Sequence, residues 1–241
     1  GLQTEATDVE TLRSLCYLLA EQAGELRSDC EENSDGIFIS SVAYTELAAT
    51  ASDAVNALDE LYGVQLFDLA ARTRPKAMYF SEIMSYIQLT GVIFPYISEP
   101  NINVHQPAYG IPSTMCHELS HICGFMREDE ANFISYLACY HSGNIELQYS
   151  GAMMGLIHAT NRLYRYDPNA WQEICSLLPE DVLRDISANS RYWKKYETPV
   201  GEAADRWNDA YLKANAQTDG VQSYGRMVDL LIAFYQSQNA L

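Results

Sequence analysis

The chain has 241 residues, of which 48% are hydrophobic and 20% are charged. These proportions are typical of a folded globular protein and exclude a disordered or fibrous chain. Its 15 Lys and Arg residues stand against 32 Asp and Glu residues, so the formal net charge is -17. Such a charge repels phosphate backbones, and nucleic acid is therefore not an expected partner.

At the start of the chain, hydrophobic spacing predicts two long amphipathic helices, over 8–27 and from Val42 to Tyr62. Between residues 76 and 105, β-branched and aromatic residues punctuated by Gly and Pro predict a small sheet. Its strands are expected over 76–80, 90–97 and 102–105. After Pro112 the predicted helices lie near 113–123, 128–141, 147–165, 168–178, 180–196, 200–214 and 222–237.

The order of these elements predicts a fold class of α+β, predominantly helical, with a small mixed sheet. No repeat or low-complexity linker interrupts the chain, so we expect a single domain over 1–241. N-terminal helices and the sheet would occupy about 1–110, and the remaining helices about 111–241.

The six cysteines contain no CxxC pair, which argues against a zinc ribbon or a thioredoxin-type redox site. Cys116, Cys123 and Cys139 fall in patterned helical segments, where buried free thiols are expected. Cys16 and Cys30 are the expected pair if the compartment is oxidising.

One motif carries chemistry: His117-Glu118-Leu119-Ser120-His121 matches the H-E-x-x-H pattern of zinc metallopeptidases. Histidines four residues apart lie on one side of a helix, about 6 Å apart along its axis, so both imidazoles can bind one cation. Glu118 is rotated by about 100° from His117. That position suits a general base that activates the zinc-bound water without binding the metal. A purely structural role for the two histidines is the alternative.

A catalytic zinc site needs a third protein ligand, and the candidates are Glu128, Asp129 and Glu130. On one continuous helix, Glu128 would lie about 10 Å beyond His121 along the axis, too far to share a metal. The helix must therefore end between them. Gly124 is placed to end it and turn the chain, because glycine accepts the left-handed conformation that closes many helices.

The segment Glu128-Asp129-Glu130-Ala131-Asn132 resembles the E-x-x-A-[DN] segment of gluzincin metallopeptidases. The resemblance implies a zincin-like fold, with Glu128 as the third zinc ligand and Asn132 as a supporting residue. Glu130 would then be a surface or supporting carboxylate. Only six residues separate His121 from Glu128, fewer than gluzincins usually have.

More narrowly, the run from Pro95 through the H-E-x-x-H motif to Cys139 is similar to an uncharacterised bacterial family, domain of unknown function 3810. The run from Tyr211 to Asn215 and the run from Asp219 to Arg226 are similar to it too. Members of that family commonly carry N-terminal transmembrane helices. The resemblance implies a membrane-anchored protein whose soluble domain faces the extracytoplasmic side, with membrane contact only through segments outside this chain.

Five further residues are considered for the site. Tyr224, with Arg226 beside it, is a candidate donor to the oxyanion of hydrolysis, although packing at a helix interface is the alternative. His105 follows a predicted edge strand and could lie near the cleft. His158 is expected to be a core or surface histidine, and His141 a helix C-terminal residue.

These observations predict a zinc-dependent metallopeptidase acting on a peptide or protein substrate, with Glu118 as base. A catalytically inactive zinc-binding sensor or scaffold domain is the alternative, and a metal-free helical interaction domain is a third hypothesis. The substrate and the oligomeric state are not predicted.

Overall fold

The computed structural model describes residues 8–94, 99–197 and 224–241. Helices and strands are numbered along the chain within these ranges. The helices are α1 (Val9–Ser28), α2 (Tyr44–Tyr62), α3 (Asp68–Arg72), α4 (Ser81–Tyr86), α5 (Ile111–Ile122), α6 (Glu128–His141), α7 (Ile145–Tyr166), α8 (Pro168–Leu177), α9 (Glu180–Lys195) and α10 (Tyr224–Ser237). The strands are β1 (Lys76–Ala77), β2 (Gly91–Phe94) and β3 (Glu99–Ile102). The predicted fold class, α+β with a predominance of helix, is confirmed.

Helices α1 and α2 form where the hydrophobic spacing predicts them. The Asp8 side chain accepts a hydrogen bond from the Thr11 backbone N–H and so begins α1. Helix α2 ends at Gly63, whose φ of 64° lies in the left-handed region. The short helices α3 and α4 were not predicted, because 5 or 6 residues are too few to show a helical period.

The sheet has the strand order β1-β3-β2, with β1 parallel and β2 antiparallel to β3, so the predicted mixed sheet is confirmed. The third strand was predicted over 102–105 but lies at Glu99–Ile102. The strand does not extend to 105, because the Val104 backbone N–H donates to Ser81 Oγ and the His105 backbone N–H donates to Asn103 Oδ1. Strands β2 and β3 pack against α5 and place the sheet beside the H-E-x-x-H helix.

The buried apolar side chains form a core to which α1, α2, α5, α6, α7 and α10 all contribute. Helix α7 lies at its centre, packed against α1 on one side and α6 on another. This arrangement holds α5 and α6 against each other, and these two helices carry the candidate metal ligands. Within the described residues, no helix is long and apolar enough to span a bilayer.

The described cysteines are all free thiols, including Cys16 and Cys30, which do not form the expected pair. Cys16 is buried within the core, and Cys30 is half-buried. Cys116 and Cys139 are buried free thiols as predicted, with their Sγ atoms 3.9 Å apart. Cys123 is half-buried rather than buried, because it lies at the end of α5.

A buried ion pair between Arg27 and Asp185 connects the end of α1 to α9. Asp185 is fully buried and accepts hydrogen bonds from Arg27 Nε at 2.8 Å, from the Tyr149 hydroxyl at 2.6 Å and from the Phe38 backbone N–H at 2.8 Å. Arg27 is 2% exposed. Each group is therefore removed from water and depends on its partners.

We expect Asp185→Ala to lower the free energy of unfolding by about 3–5 kcal/mol, because it leaves the Arg27 charge buried without its main partner. The matched control is Glu173→Ala, which breaks the exposed Arg13–Glu173 ion pair of 2.7 Å. The control should cost no more than about 1 kcal/mol. Urea denaturation measures both. Equal, small losses in the two variants would contradict a stabilising role for the buried pair.

Candidate metal centre

Helix α5 presents the H-E-x-x-H motif toward the interior of the protein. Pro112 lies in its first turn, where its missing N–H and fixed φ are compatible with a helix start. His117 and His121 follow one turn apart, with ring centroids 4.5 Å apart and side chains only 15% and 13% exposed. The two imidazoles therefore lie next to each other and are largely shielded from solvent.

The chain turns sharply after α5, as the sequence predicts at Gly124. The φ of Gly124 is 95°, in the left-handed region. Its N–H donates to the His121 carbonyl at 2.9 Å, and the Phe125 N–H donates to the Ser120 carbonyl at 3.2 Å. This pair of hydrogen bonds is the Schellman arrangement that closes a helix on a glycine. The turn reverses the chain so that α6 can begin beside α5.

Glu128 is the first residue of α6 and faces the two histidines. One oxygen, Oε2, lies 3.3 Å from His117 Nε2, and the other, Oε1, lies 3.6 Å from His121 Nε2. Ligand atoms of these three residues all lie within 4.8 Å of one another, and the group could hold a metal ion. We call His117, His121 and Glu128 the metal centre.

The other two candidate ligands point elsewhere. Arg127 binds Asp129 through two hydrogen bonds of 2.7 and 3.2 Å, and its Nε lies 3.5 Å from Glu130 Oε1. Asp129 is buried by this contact, while the Glu130 side chain remains 45% exposed. The arrangement therefore favours Glu128 over Glu130 beside the histidines.

The spacing of the ligand atoms in the metal centre is compatible with one bound metal ion. Zinc binds histidine nitrogen and carboxylate oxygen at about 2.0–2.2 Å, so ligand atoms in a tetrahedral site lie about 3.3–3.6 Å apart. The Glu128 contacts, at 3.3 and 3.6 Å, lie in this range. A His-His-carboxylate set is also the donor chemistry that zinc accepts in catalytic sites.

The second nitrogen of each histidine differs in its surroundings. His121 Nδ1 lies 2.7 Å from the Phe125 carbonyl oxygen. A carbonyl oxygen only accepts, so Nδ1 carries the proton and Nε2 keeps its lone pair free for a metal. His117 Nδ1 is buried without a hydrogen-bond partner among the described residues. The turn at Gly124 thus also supplies the group that orients His121.

The charges of the three residues act on one another. Burial lowers the pKa of His117, but the hydrogen bond and charge of Glu128 outweigh burial, so the pKa is raised. Burial raises the pKa of Glu128, and His117 more than offsets it, so the pKa is lowered. The pKa of His121 is lowered by burial and by the charge of His117. Glu128 is therefore a carboxylate near neutral pH, as a metal ligand must be.

Glu118 lies on α5 against Gly91 at the start of β2. It is 5% exposed, and a Cβ atom on Gly91 would lie 2.4 Å from its Oε1. Only glycine therefore leaves room for this carboxylate beside the strand. Burial raises the pKa of Glu118 to about 7, with His117 opposing the shift and Glu128 adding to it. A carboxylate with such a pKa can both accept and return a proton near neutral pH.

A cavity of about 290 Å³ opens beside the metal centre. Its wall includes Asn132, which is 7% exposed and raises the pKa of His117. Asn132 therefore lies beside His117, and its role as a supporting residue stays a prediction.

The sequence missed three residues on the wall of this cavity: His158, Asn189 and Trp193. His158 was expected to be a core or surface histidine, without a place at the site. The sequence did contain a spacing that relates His158 to the cavity. Ser150 and Met154 also line the cavity, and they lie eight and four residues before His158 on one face of α7. Such spacing looks the same for a core face as for a cavity wall, so it could not decide between them.

The remaining sequence candidates lie apart from the cavity or outside the described residues. The ring nitrogen Nδ1 of His105 lies 2.9 Å from the Tyr192 hydroxyl, and His105 does not line the cavity. His141 ends α6, as predicted, with Nε2 3.1 Å from the Tyr62 hydroxyl. Tyr224 begins α10, but its side chain lies outside the described residues, and the structure does not test its role. Arg226 is exposed.

The fold and the site define a predominantly helical α+β protein with a His-His-Glu cluster that could hold a metal ion. The chain belongs to the family described as Protein of unknown function (DUF3810), whose sequence profile matches residues 1–232. The predicted relation to this family is thereby confirmed. No curated protein and no solved structure matches the chain.

Proposed function

We propose that this protein is a zinc-dependent metallopeptidase with a zincin-like, gluzincin-type site. One observation carries the proposal: ligand atoms of His117, His121 and Glu128 lie within 4.8 Å of one another, on two helices joined by the Gly124 turn. The buried Glu118 on the same helix completes the set that a hydrolytic zinc site requires.

A zinc ion bound at the metal centre would supply the Lewis acidity that polarises a scissile carbonyl and lowers the pKa of an attacking water. His117, His121 and Glu128 hold the ion, and the Phe125 carbonyl orients His121. Glu118 accepts the proton of the water and returns it to the leaving amine, a role that its pKa of about 7 suits near neutral pH. The candidate oxyanion donor from the sequence, Tyr224, stays a prediction.

The substrate class that we propose is a peptide or protein in an extended conformation. Strand β2 is at the edge of the sheet and begins at Gly91, directly against Glu118. An extended peptide added to this edge would lie next to the proposed base. We also propose, from the family resemblance alone, that the domain belongs to a membrane-anchored protein and works on the extracytoplasmic face of a bacterial membrane.

Elemental analysis and a cleavage assay test the proposed function together. Protein purified without chelator is expected to hold about one zinc per chain and to cut members of a peptide library, with cutting stopped by a chelator and restored by zinc. Bound zinc without cleavage would support a non-catalytic zinc sensor or scaffold domain instead. Absence of zinc after reconstitution would remove both functions.

A further inference from the structure

The cavity beside the metal centre has two further walls, from α7 and α9. Helix α7 contributes Met154, Ile157 and His158, and α9 contributes Asn189 and Trp193. The volume of about 290 Å³ is at the lower end of the range for small-molecule pockets, about 300–1,000 Å³. Because a water occupies about 30 Å³ in the liquid, the cavity holds the volume of about ten waters. That volume is enough for one large side chain but not for a folded partner.

The cavity wall is uncharged outside the metal centre. In the described part of the chain, its lining contains no Lys or Arg, and its only carboxylate is Glu128. The other ionisable groups are His158 and Tyr109. Burial lowers the pKa of His158 to about 4 and raises the pKa of Tyr109, so both side chains are neutral near pH 7. A charged side chain that enters this space away from Glu128 would lose its water, and the α7 and α9 walls offer no opposite charge, which is unfavourable.

Asn189 supplies an oriented hydrogen-bond donor at the cavity wall. Trp193 Nε1 donates to Asn189 Oδ1 at 3.1 Å. Since an indole nitrogen only donates, the amide oxygen must be the atom that faces it, and the amide NH₂ points the other way. Within residues 8–94, 99–197 and 224–241, no hydrogen bond from Asn189 Nδ2 is formed. The NH₂ group is therefore available to a ligand carbonyl.

We propose that this cavity is the subsite for an uncharged, largely apolar side chain of the residue next to the scissile bond, and that Asn189 Nδ2 donates to a carbonyl of the same substrate. The proposal rests on the proposed peptidase function. It adds the class of residue that the enzyme selects and names the residues on α7 and α9 that select it.

Binding of single-residue probes tests the subsite independently of turnover. N-acetyl amino-acid amides of Leu, Phe, Lys and Asp are titrated into the metal-free and the zinc-loaded protein and followed by saturation-transfer NMR. We expect the Leu and Phe amides to bind at least about tenfold more tightly than the Lys and Asp amides, because only the charged side chains lose hydration without compensation. Equal affinities, or no binding of any probe, would overturn the subsite.

Asn189→Asp is the variant that links the preference to this cavity. The new carboxylate can still accept from Trp193 Nε1, so the variant retains the local contact while adding a negative charge to the wall. The Lys amide is expected to gain at least about tenfold over the Leu amide relative to the natural chain. Ser190→Asp is the control, because it adds the same charge at the next, exposed position of α9. A shift in both variants would assign the effect to net charge and reject the cavity.

The two proposals fail in different ways. Selective binding of the uncharged amides without any peptide cleavage would leave the subsite standing and reject the peptidase. Cleavage with no preference for an uncharged residue on either side of the cut would retain the peptidase and reject the subsite. Where cleavage occurs, sequencing the products of a peptide library gives the second readout.

Discussion

Replacing Glu118 by Gln is expected to reduce peptide cleavage by about 10²–10⁴-fold, because the amide cannot accept the proton of the attacking water. Zinc content should stay at about one per chain, since Glu118 is not among the three residues that form the metal centre. The measurements are kcat on a cleaved library peptide and elemental zinc on the same sample.

The stability of this variant separates loss of the base from loss of the fold. Burial raises the pKa of Glu118 to about 7, which means that its charged form is disfavoured in the folded protein. The unfavourable contribution begins as pH rises above the ordinary glutamate pKa of 4.5 and is complete above about 7. Glu118→Gln removes it, so the variant should be at least as stable as the natural chain at pH 8.

Glu130→Gln is the matched control for this experiment. It makes the same carboxylate-to-amide change at a side chain that is 45% exposed and lies beside Arg127. Its cleavage rate should be close to that of the natural chain. Undiminished turnover by Glu118→Gln would reject Glu118 as the base, and an equal loss in both variants would indicate a general effect of charge.

The second large effect is expected at the third ligand. Glu128→Ala should weaken zinc binding by about 100-fold or more, since even residues that only support metal ligands contribute 10–100-fold. The remaining pair, His117 and His121, cannot complete a site that needs three protein ligands. Zinc titration against a competing chelator measures the affinity.

Glu130→Ala provides the comparison, because the two carboxylates are two residues apart on α6 and only Glu128 faces the histidines. Zinc should raise the melting temperature of Glu130→Ala as it does that of the natural chain, since a ligand at about 100 times its Kd stabilises by about 2.7 kcal/mol. It should not do so for Glu128→Ala. If zinc stabilised Glu128→Ala but not Glu130→Ala, the third ligand would be Glu130 and not Glu128.

Much of the metal centre could be predicted because its causes are local. A four-residue spacing places His117 and His121 on one helix face, and a glycine allows the left-handed turn at Gly124. Choosing Glu128 over Glu130 from sequence needed the family resemblance. In the structure the same choice follows from Arg127, which engages Asp129 and lies 3.5 Å from Glu130.

The sheet was less predictable than the helices. Its position beside the motif was expected, but β1 has only two residues and the third strand was placed three residues too late. Strand ends depend on which partner a residue finds across the sheet, as when the Val104 backbone N–H donates to Ser81 Oγ and not to a strand. The short helices α3 and α4 were missed for a related reason, since packing rather than periodicity maintains them.

The sequence by itself determined the H-E-x-x-H helix, the turn that ends it and the predominance of helix, because each follows from periodicity or from the conformational freedom of glycine. Only the tertiary structure decided what surrounds that motif. Glu118 is buried because Gly91, 27 residues earlier, leaves room for it. Asn189, which follows His117 by 72 residues, reaches the same cavity. Such contacts join residues that no local pattern relates, so they emerge only when the core brings α5, α7 and α9 together.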